Sequence, residues 1–367
     1  MSTNRRTENT VVIDDRTRAD TAYRLACDGT ALLWQGDFHN GRQLLAAMGR
    51  RADRKPLRTG PTPADTFWSY RRSRAHRARV LGRLLIRLGE DYSLGLRRAP
   101  DVRQACVDAY GPPRGASTVP LRELLGVLGA RQWREKGVAV PALGARIHPH
   151  YGVFSPVRGE YVDLVARAPL PTFRTAFNAF DLGTGTGVLA AVLAGRGVER
   201  VVATDIGPRA LACARDNLAR LGLGDRVRVV GPTLFPAGCA GGLDPAFSPE
   251  CRAGLVVCNP PWIPARPASD LELGVYDADG GMLHGFLTGL ADRLEPGGEG
   301  WLVLSDLAEH LGLRTRKDLL DAVGAAGLRV VDRLGARPRH PRARDRTDPL
   351  HAARAAEVTS LWRLAAA

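Results

Sequence analysis

The sequence predicts an α/β protein: a doubly wound parallel sheet over residues 147–367, preceded by a mainly helical region. Three observations carry this. From Ala176 onward, short apolar runs alternate with helical patterns. The first run ends in Asp181-Leu-Gly-Thr-Gly-Thr-Gly187 and opens at once into the apolar stretch Val188 to Ala194, which reads as strand, tight turn and helix. A later run, Val256-Val257-Cys258, ends in Asn259-Pro260-Pro261-Trp262.

Residues 1–20 are polar and charged and are expected to form a disordered tail. A mainly helical accessory domain for substrate recognition is expected over 21–146. Tyr23, Leu25 and Ala26, then Leu32, Leu33 and Trp34, then Leu44, Leu45 and Met48 supply its first apolar faces. Arg54 to Pro63 reads as a basic linker. Phe67 to Leu88 reads as one helix with Val80, Leu81, Leu84, Leu85 and Leu88 on one side and Arg71, Arg72, Arg74, Arg77, Arg79 and Arg83 on the other. A short helix before Pro112-Pro113 and an amphipathic segment from Leu121 to Lys136 complete the region.

Charge is unevenly spread. The formal net charge is +14, with 27 Lys+Arg against 14 Asp+Glu in residues 1–150, 17 against 20 in 151–330, and 8 against 4 in 331–367. The expected catalytic unit is thus slightly acidic between basic flanks. Such flanks suit a polyanion such as RNA; equally, they are the solvated faces of arginine-rich helices.

Within the sheet, strands are expected near 176–182, 200–205, 226–230, 255–259 and 299–304, with helices near 187–196, 208–222, 281–294 and 315–326. Gly327 to Arg333 and Val358 to Arg363 supply two final strands, joined by the arginine-rich stretch Pro338 to Ala353. No apolar run is long enough to span a bilayer, and Met1 to Arg6 lacks a following apolar core, so a cytoplasmic location is expected. The cysteines at 27, 106, 213, 239, 251 and 258 form no Cys-x-x-Cys pair, which argues for reduced thiols and against a zinc site.

The glycine stretch is neither the dinucleotide pattern G-x-G-x-x-G nor a P-loop, since no Gly-Lys-Ser/Thr follows. Asp181, before the glycines, suits an ammonium group reached directly or through water. Asp205 closes the next strand, where a carboxylate commonly takes ribose hydroxyls. His148 and His150 flank a proline but lack a third ligand, and Asp277 with Asp279 reads as a loop pair, so no metal is expected.

With the glycine turn and Asn259-Pro-Pro-Trp262 in this order on strand ends, the chain from about Tyr151 onward resembles the class I S-adenosylmethionine-dependent methyltransferases, in particular their Asn-Pro-Pro-aromatic group, which methylates planar nitrogens. The resemblance implies a Rossmann-like class I methyltransferase sheet, parallel with an antiparallel last strand. It implies S-adenosyl-L-methionine as cofactor, held by Asp181, Gly183, Thr184, Gly185 and Gly187, then by Asp205, Ile206, Thr233 and Asn259. It implies Asn259, Pro260, Pro261 and Trp262 as the catalytic set. The Asn259 side-chain oxygen and the Pro260 carbonyl would accept the N–H bonds of the target nitrogen, and Trp262 would stack on its plane. The family often carries an acidic or amide residue after the third strand for the adenine amino group; Val230-Gly-Pro-Thr-Leu-Phe235 has none, leaving Thr233 or backbone groups.

The pattern Asn259-Pro-Pro-Trp-Ile-Pro264, with Tyr276 to Leu283 leading into a helix, is similar to the protein-glutamine N-methyltransferases that modify release factors and ribosomal protein. That implies a protein substrate, a translation factor or ribosomal protein. An exocyclic amine of adenine or guanine in RNA or DNA is the alternative acceptor. A non-catalytic binder or a dehydrogenase-like protein is the contrasting class, opposed by the intact Asn259 motif and the missing G-x-G-x-x-G.

Overall fold

A computed structural model describes residues 9–54, 56–172, 178–236, 252–339 and 341–367. The chain divides into two compact units, one formed by Met1–Pro61 and Asp65–Arg134, the other by Thr62–Ala64 and Glu135–Ala367.

In chain order the first unit contains β1 (Thr10–Ile13), α1 (Ala19–Cys27), β2 (Ala31–Trp34), α2 (Phe38–Asp53), α3 (Pro63–Leu81), β3 (Leu84–Leu88), α4 (Arg103–Tyr110), β4 (Ser117–Pro120) and α5 (Leu121–Lys136). It is mainly helical, as expected, but the helices pack around a sheet of order β1-β2-β3-β4. That sheet corrects three expectations. Residues 10–20 are not a loose tail: Thr10–Ile13 pairs in parallel with Ala31–Trp34. Leu32, Leu33 and Trp34 are strand, not helix. The predicted helix 67–88 breaks after Leu81, and Leu84, Ile86 and Leu88 form the buried side of β3. In each case a short apolar run is drawn into a strand by distant pairing partners. Asp37 starts α2 by accepting hydrogen bonds from the His39 and Asn40 amides.

The second unit opens with the hairpin β5 (Val138–Val140) and β6 (Ala145–Ile147), then α6 (Glu160–Arg167). The alternating core follows: β7 (Asn178–Leu182), α7 (Val188–Gly195), β8 (Arg200–Thr204), α8 (Pro208–Arg220), β9 (Val227–Val230), β10 (Ala253–Cys258), α9 (Gly281–Arg293) and β11 (Leu294–Ser305). The chain closes with α10 (Leu307–His310), α11 (Arg316–Ala325), β12 (Leu328–Ala336), α12 (His351–Ala356) and β13 (Thr359–Ala366). Residues 176 and 177, expected to begin β7, lie outside the described residues.

The sheet order is β12-β13-β11-β10-β7-β8-β9. β13 is antiparallel to both neighbours, whereas the pairs among β11, β10, β7, β8 and β9 are parallel. This is the arrangement expected for a class I sheet with an antiparallel last strand. Side-chain alternation divides the core. Ala179, Val201, Leu255, Val257 and Trp301 join one cluster with α6 and α7. Phe180, Val202, Val256, Cys258 and Leu302 join another with α9 and α11. Both faces are therefore covered, as a parallel sheet requires. Every residue from Val188 to Ala194 in α7 is buried, which explains its unbroken apolar sequence. The arginine-rich stretch that joins the last two strands includes the start of α12, and α6 precedes the alternating core.

Candidate active site

Strand order reverses between β7 and β10, the position at which open α/β sheets form a crevice beyond their carboxyl ends. Leu182 pairs with Cys258 on one side and with Thr204 on the other. Gly183, Asp205 and Asn259 therefore leave the sheet at one level.

The glycine loop is built by its left-handed backbone. Gly183, Gly185 and Gly187 have φ of 70°, 55° and 81°. A Cβ on Gly183 would lie 2.2 Å from Met282 Cε at the start of α9, whereas one on Gly185 would meet nothing nearer than the Gly183 carbonyl at 4.0 Å. The loop is thus packed against protein at its first glycine and open at its second. Asp181 is buried beneath it. Its Oδ2 accepts from Thr184 Oγ1 at 2.6 Å and from the Ala190 amide at 3.0 Å, tying the loop to the first turn of α7. Burial pushes the Asp181 carboxyl up to about 6, with Asp205 adding in the same direction and the two hydrogen bonds opposing. Thr184 is itself buried, and its amide donates to the Thr204 carbonyl at 2.8 Å.

Asp205 closes the other wall. Its Oδ2 accepts from the Gly185 amide at 3.0 Å and its Oδ1 from the Gly207 amide at 2.8 Å. Ile206, beside it, is 74% exposed. The loop after β9 returns to the same place: the Thr233 amide donates to the Asp205 carbonyl at 3.3 Å. Thr233 Oγ1 donates to the Phe235 carbonyl at 2.6 Å, which leaves its oxygen free to act as an acceptor. Gly231-Pro232 is a cis peptide.

At the end of β10, Trp262 Nε1 donates to Asn259 Oδ1 at 2.9 Å. Pro260 is buried, and Pro261 is partly so. The Arg158 guanidinium lies over the Trp262 ring, 5.1 Å from its centroid. One face of the Trp262 ring thus carries Arg158, and its indole N–H is engaged by Asn259. After Trp262 the chain is held by Ile263, whose amide donates to the Val275 carbonyl and whose carbonyl accepts from the Asp277 amide, each at 3.1 Å. Asp277 Oδ2 accepts from the Met282 amide at 2.9 Å and so fixes the start of α9. Asp277 thus has a helix-starting role.

The approach from β6 is clamped to α8. Asn217 Oδ1 accepts from the His148 amide at 2.7 Å, and Asn217 Nδ2 donates to the Thr186 carbonyl at 3.1 Å. His150 Nε2 lies 2.9 Å from Asp216 Oδ2. The His150 ring thus faces Asp216, and no cluster of three or more metal-ligating side chains occurs among the described residues. Cys258 is buried, and burial pushes its thiol well above the usual range. Cys27, Cys106, Cys213 and Cys258 are free thiols; positions 239 and 251 lie outside the described residues. No helix among the described residues is long and apolar enough to cross a membrane. The basic run Arg71 to Arg83 lies in the first unit, where Arg77 pairs with Asp53 at 2.9 Å.

Residues 144–325 match the methyltransferase small domain family. The chain is 32% identical over 199 residues to a release factor glutamine methyltransferase of Cereibacter sphaeroides, covering 51% of this chain and 65% of that protein. It is 35% identical over 162 residues to the release factor glutamine methyltransferase of Moorella thermoacetica, covering 41% and 52%. A ribosomal protein L11 methyltransferase of Pelotomaculum thermopropionicum is 34% identical over 161 residues, covering 44% and 41%. The chain thus spans less than two thirds of the length of each of these relatives. The matched segment 144–325 is the one that carries the glycine loop, Asp205 and the Asn259 motif.

Proposed function

We propose that this protein is an S-adenosylmethionine-dependent N-methyltransferase acting on a planar amide nitrogen, a glutamine side chain of a translation protein. The observation that carries this reading is the Trp262–Asn259 hydrogen bond at the end of β10, level with the glycine loop.

The residues present suit the cofactor. The open side of Gly185 is a cradle that a Cβ would fill. Asp205 lies at the next strand end, where its carboxylate suits ribose hydroxyls. The Thr233 oxygen retains acceptor capacity for an adenine amino group, replacing the carboxylate that the sequence lacks. Asp181 and Thr184 hold the loop from beneath, and exposed Ile206 offers an apolar face beside Asp205.

When bound, S-adenosylmethionine supplies an activated methyl group, so the chain needs no nucleophile of its own. Its task is to orient an acceptor and stabilise developing charge. Indole N–H is a donor only, so the Asn259 end facing it must be the oxygen. One lone pair of Oδ1 is used by Trp262, and another remains for an N–H of the target. Pro260 presents its carbonyl from a rigid backbone for the second N–H. Drawing both protons into acceptors raises electron density on the nitrogen and turns its lone pair toward the donor.

Relatives bearing the names of release factor glutamine and ribosomal protein L11 methyltransferases support a protein acceptor, and a cytoplasmic location goes with that reading. A nucleic-acid base would use the same pair of acceptors, and the basic first 150 residues are the feature that suits it. On this reading the first unit recognises the substrate and the second carries catalysis. Calorimetry with S-adenosylhomocysteine and with NAD tests the cofactor assignment. Binding of S-adenosylhomocysteine alone is the expected result, and binding of NAD alone would overturn it.

A further inference from the structure

The Asn259–Trp262 pair has a support that reaches to the far end of the sequence. Arg158, stacked over Trp262, donates from Nη2 to Glu357 Oε1 at 2.8 Å across 199 positions of sequence. Glu357 has no exposed surface. Ser305 Oγ also donates to Glu357 Oε1, at 2.7 Å, and accepts from the Leu307 amide at 3.0 Å. The carboxylate is therefore fixed from the end of β11 and the approach to β13.

The pairing is unlike one built only to satisfy two charges. An arginine and a carboxylate commonly meet as a fork with two parallel hydrogen bonds. Here Arg158 Nε and Glu357 Oε2 are buried and have no hydrogen-bond partner among the described residues. Ser155 Oγ and Thr359 Oγ1 share that condition. Leaving such groups unpaired is costly. What the single-bonded geometry provides is a guanidinium held over the indole, its Cζ 5.1 Å from the ring centroid.

We propose that Glu357 is a positioning residue for methyl transfer: through Arg158 it fixes the Trp262 ring, and through the indole N–H it aims Asn259. This rests on the methyltransferase reading for its catalytic consequence. Its structural content stands apart from that reading, because the link from Glu357 to Trp262 can be measured without turnover.

The test uses the full chain and two variants. Glu357→Gln keeps the shape and removes the charge that holds Arg158. Arg158→Lys keeps an ion pair with Glu357 and removes the flat face over Trp262. The Trp262 indole 15N–1H resonance, identified by its loss in Trp262→Phe, is expected to shift or broaden in both variants. Turnover is expected to fall about 10- to 100-fold, as for a misaimed group, while affinity for S-adenosylhomocysteine stays within about twofold. Combining Trp262→Phe with Glu357→Gln should cost no more turnover than Trp262→Phe alone. If Glu357→Gln does not fold, Arg158→Lys carries the comparison. An unmoved indole resonance in a folded variant, parallel loss of cofactor affinity, or independent losses in the double variant would overturn the proposal. A wild-type protein that transfers no methyl group would instead refute the methyltransferase reading, and the resonance would still decide the link.

Discussion

Trp262 Nε1 donates to Asn259 Oδ1 across 2.9 Å, and this bond decides which end of the Asn259 amide faces the indole. An asparagine held only by its backbone could present oxygen or nitrogen to a target. With the indole beside it, the amide has one favourable orientation. The motif thus contains its own positioning device, three residues downstream of the group it positions.

Removing the acceptor should separate chemistry from binding. Asn259→Ala is expected to lower turnover by about 100- to 1,000-fold, the range for loss of one preorganised polar group. Affinity for S-adenosylhomocysteine should survive. Single-turnover kinetics and calorimetry on the same preparation check both halves, and unchanged turnover would remove Asn259 from its role.

Gly185 provides a test of the cradle. Its φ of 55° makes alanine unfavourable by about 1–2 kcal/mol, but beyond its chain neighbours a methyl group there meets nothing nearer than the Gly183 carbonyl at 4.0 Å. Gly185→Ala should therefore fold with a modest loss of stability and a marked loss of cofactor affinity. Denaturant midpoints and calorimetry measure the two effects. Full cofactor affinity in the variant would place the ligand elsewhere.

Asp205 holds the Gly185 and Gly207 amides and is the proposed ribose acceptor. Asp205→Ala should weaken cofactor binding by about 10- to 100-fold, equivalent to losing a charge-assisted hydrogen bond worth about 1.5–3 kcal/mol. Equilibrium dialysis with labelled cofactor reads this directly; an unaltered affinity would count against the assignment.

Asp181 should leave a mark on stability against pH. Burial raises its carboxyl from 3.8 to about 6, so between those values the folded chain binds more protons than the unfolded chain. Stability from this group is present at low pH and is lost as pH rises through that window, by about 3 kcal/mol in total. Asp181→Asn lacks the titration. Relative to wild type, the variant should become more stable as pH rises from 4 to about 7 and stay level above. Parallel urea denaturations across this range would show it, and a constant difference would refute it.

The parts of this fold that were legible in sequence are those in which local and distant forces agree. Val188–Ala194 reads as a buried helix because every side chain is apolar, and the glycines at 183, 185 and 187 announce a turn that needs positive φ. The strands of the first unit were hidden for the opposite reason. Leu32 to Trp34 is a short apolar run with no local mark of its state, and only pairing with β1 and β3 makes it a strand. At the site, Asn259 and Trp262 could be found because the motif keeps them together. Arg158 and Glu357 could not: they meet across 199 positions, and no spacing signals an ion pair. Arg158, unrecognised in sequence, covers one face of the Trp262 ring.

The central claim, methyl transfer to a protein amide, is tested most directly with labelled S-adenosylmethionine. Purified protein would be incubated with lysate from cells lacking it, and the labelled macromolecules divided between nuclease and protease digestion. Label released by protease alone, mapping to a glutamine, is the expected result. Label released only by nuclease would contradict the protein acceptor and assign a nucleic-acid base in its place; no macromolecular label at all would contradict the claim outright.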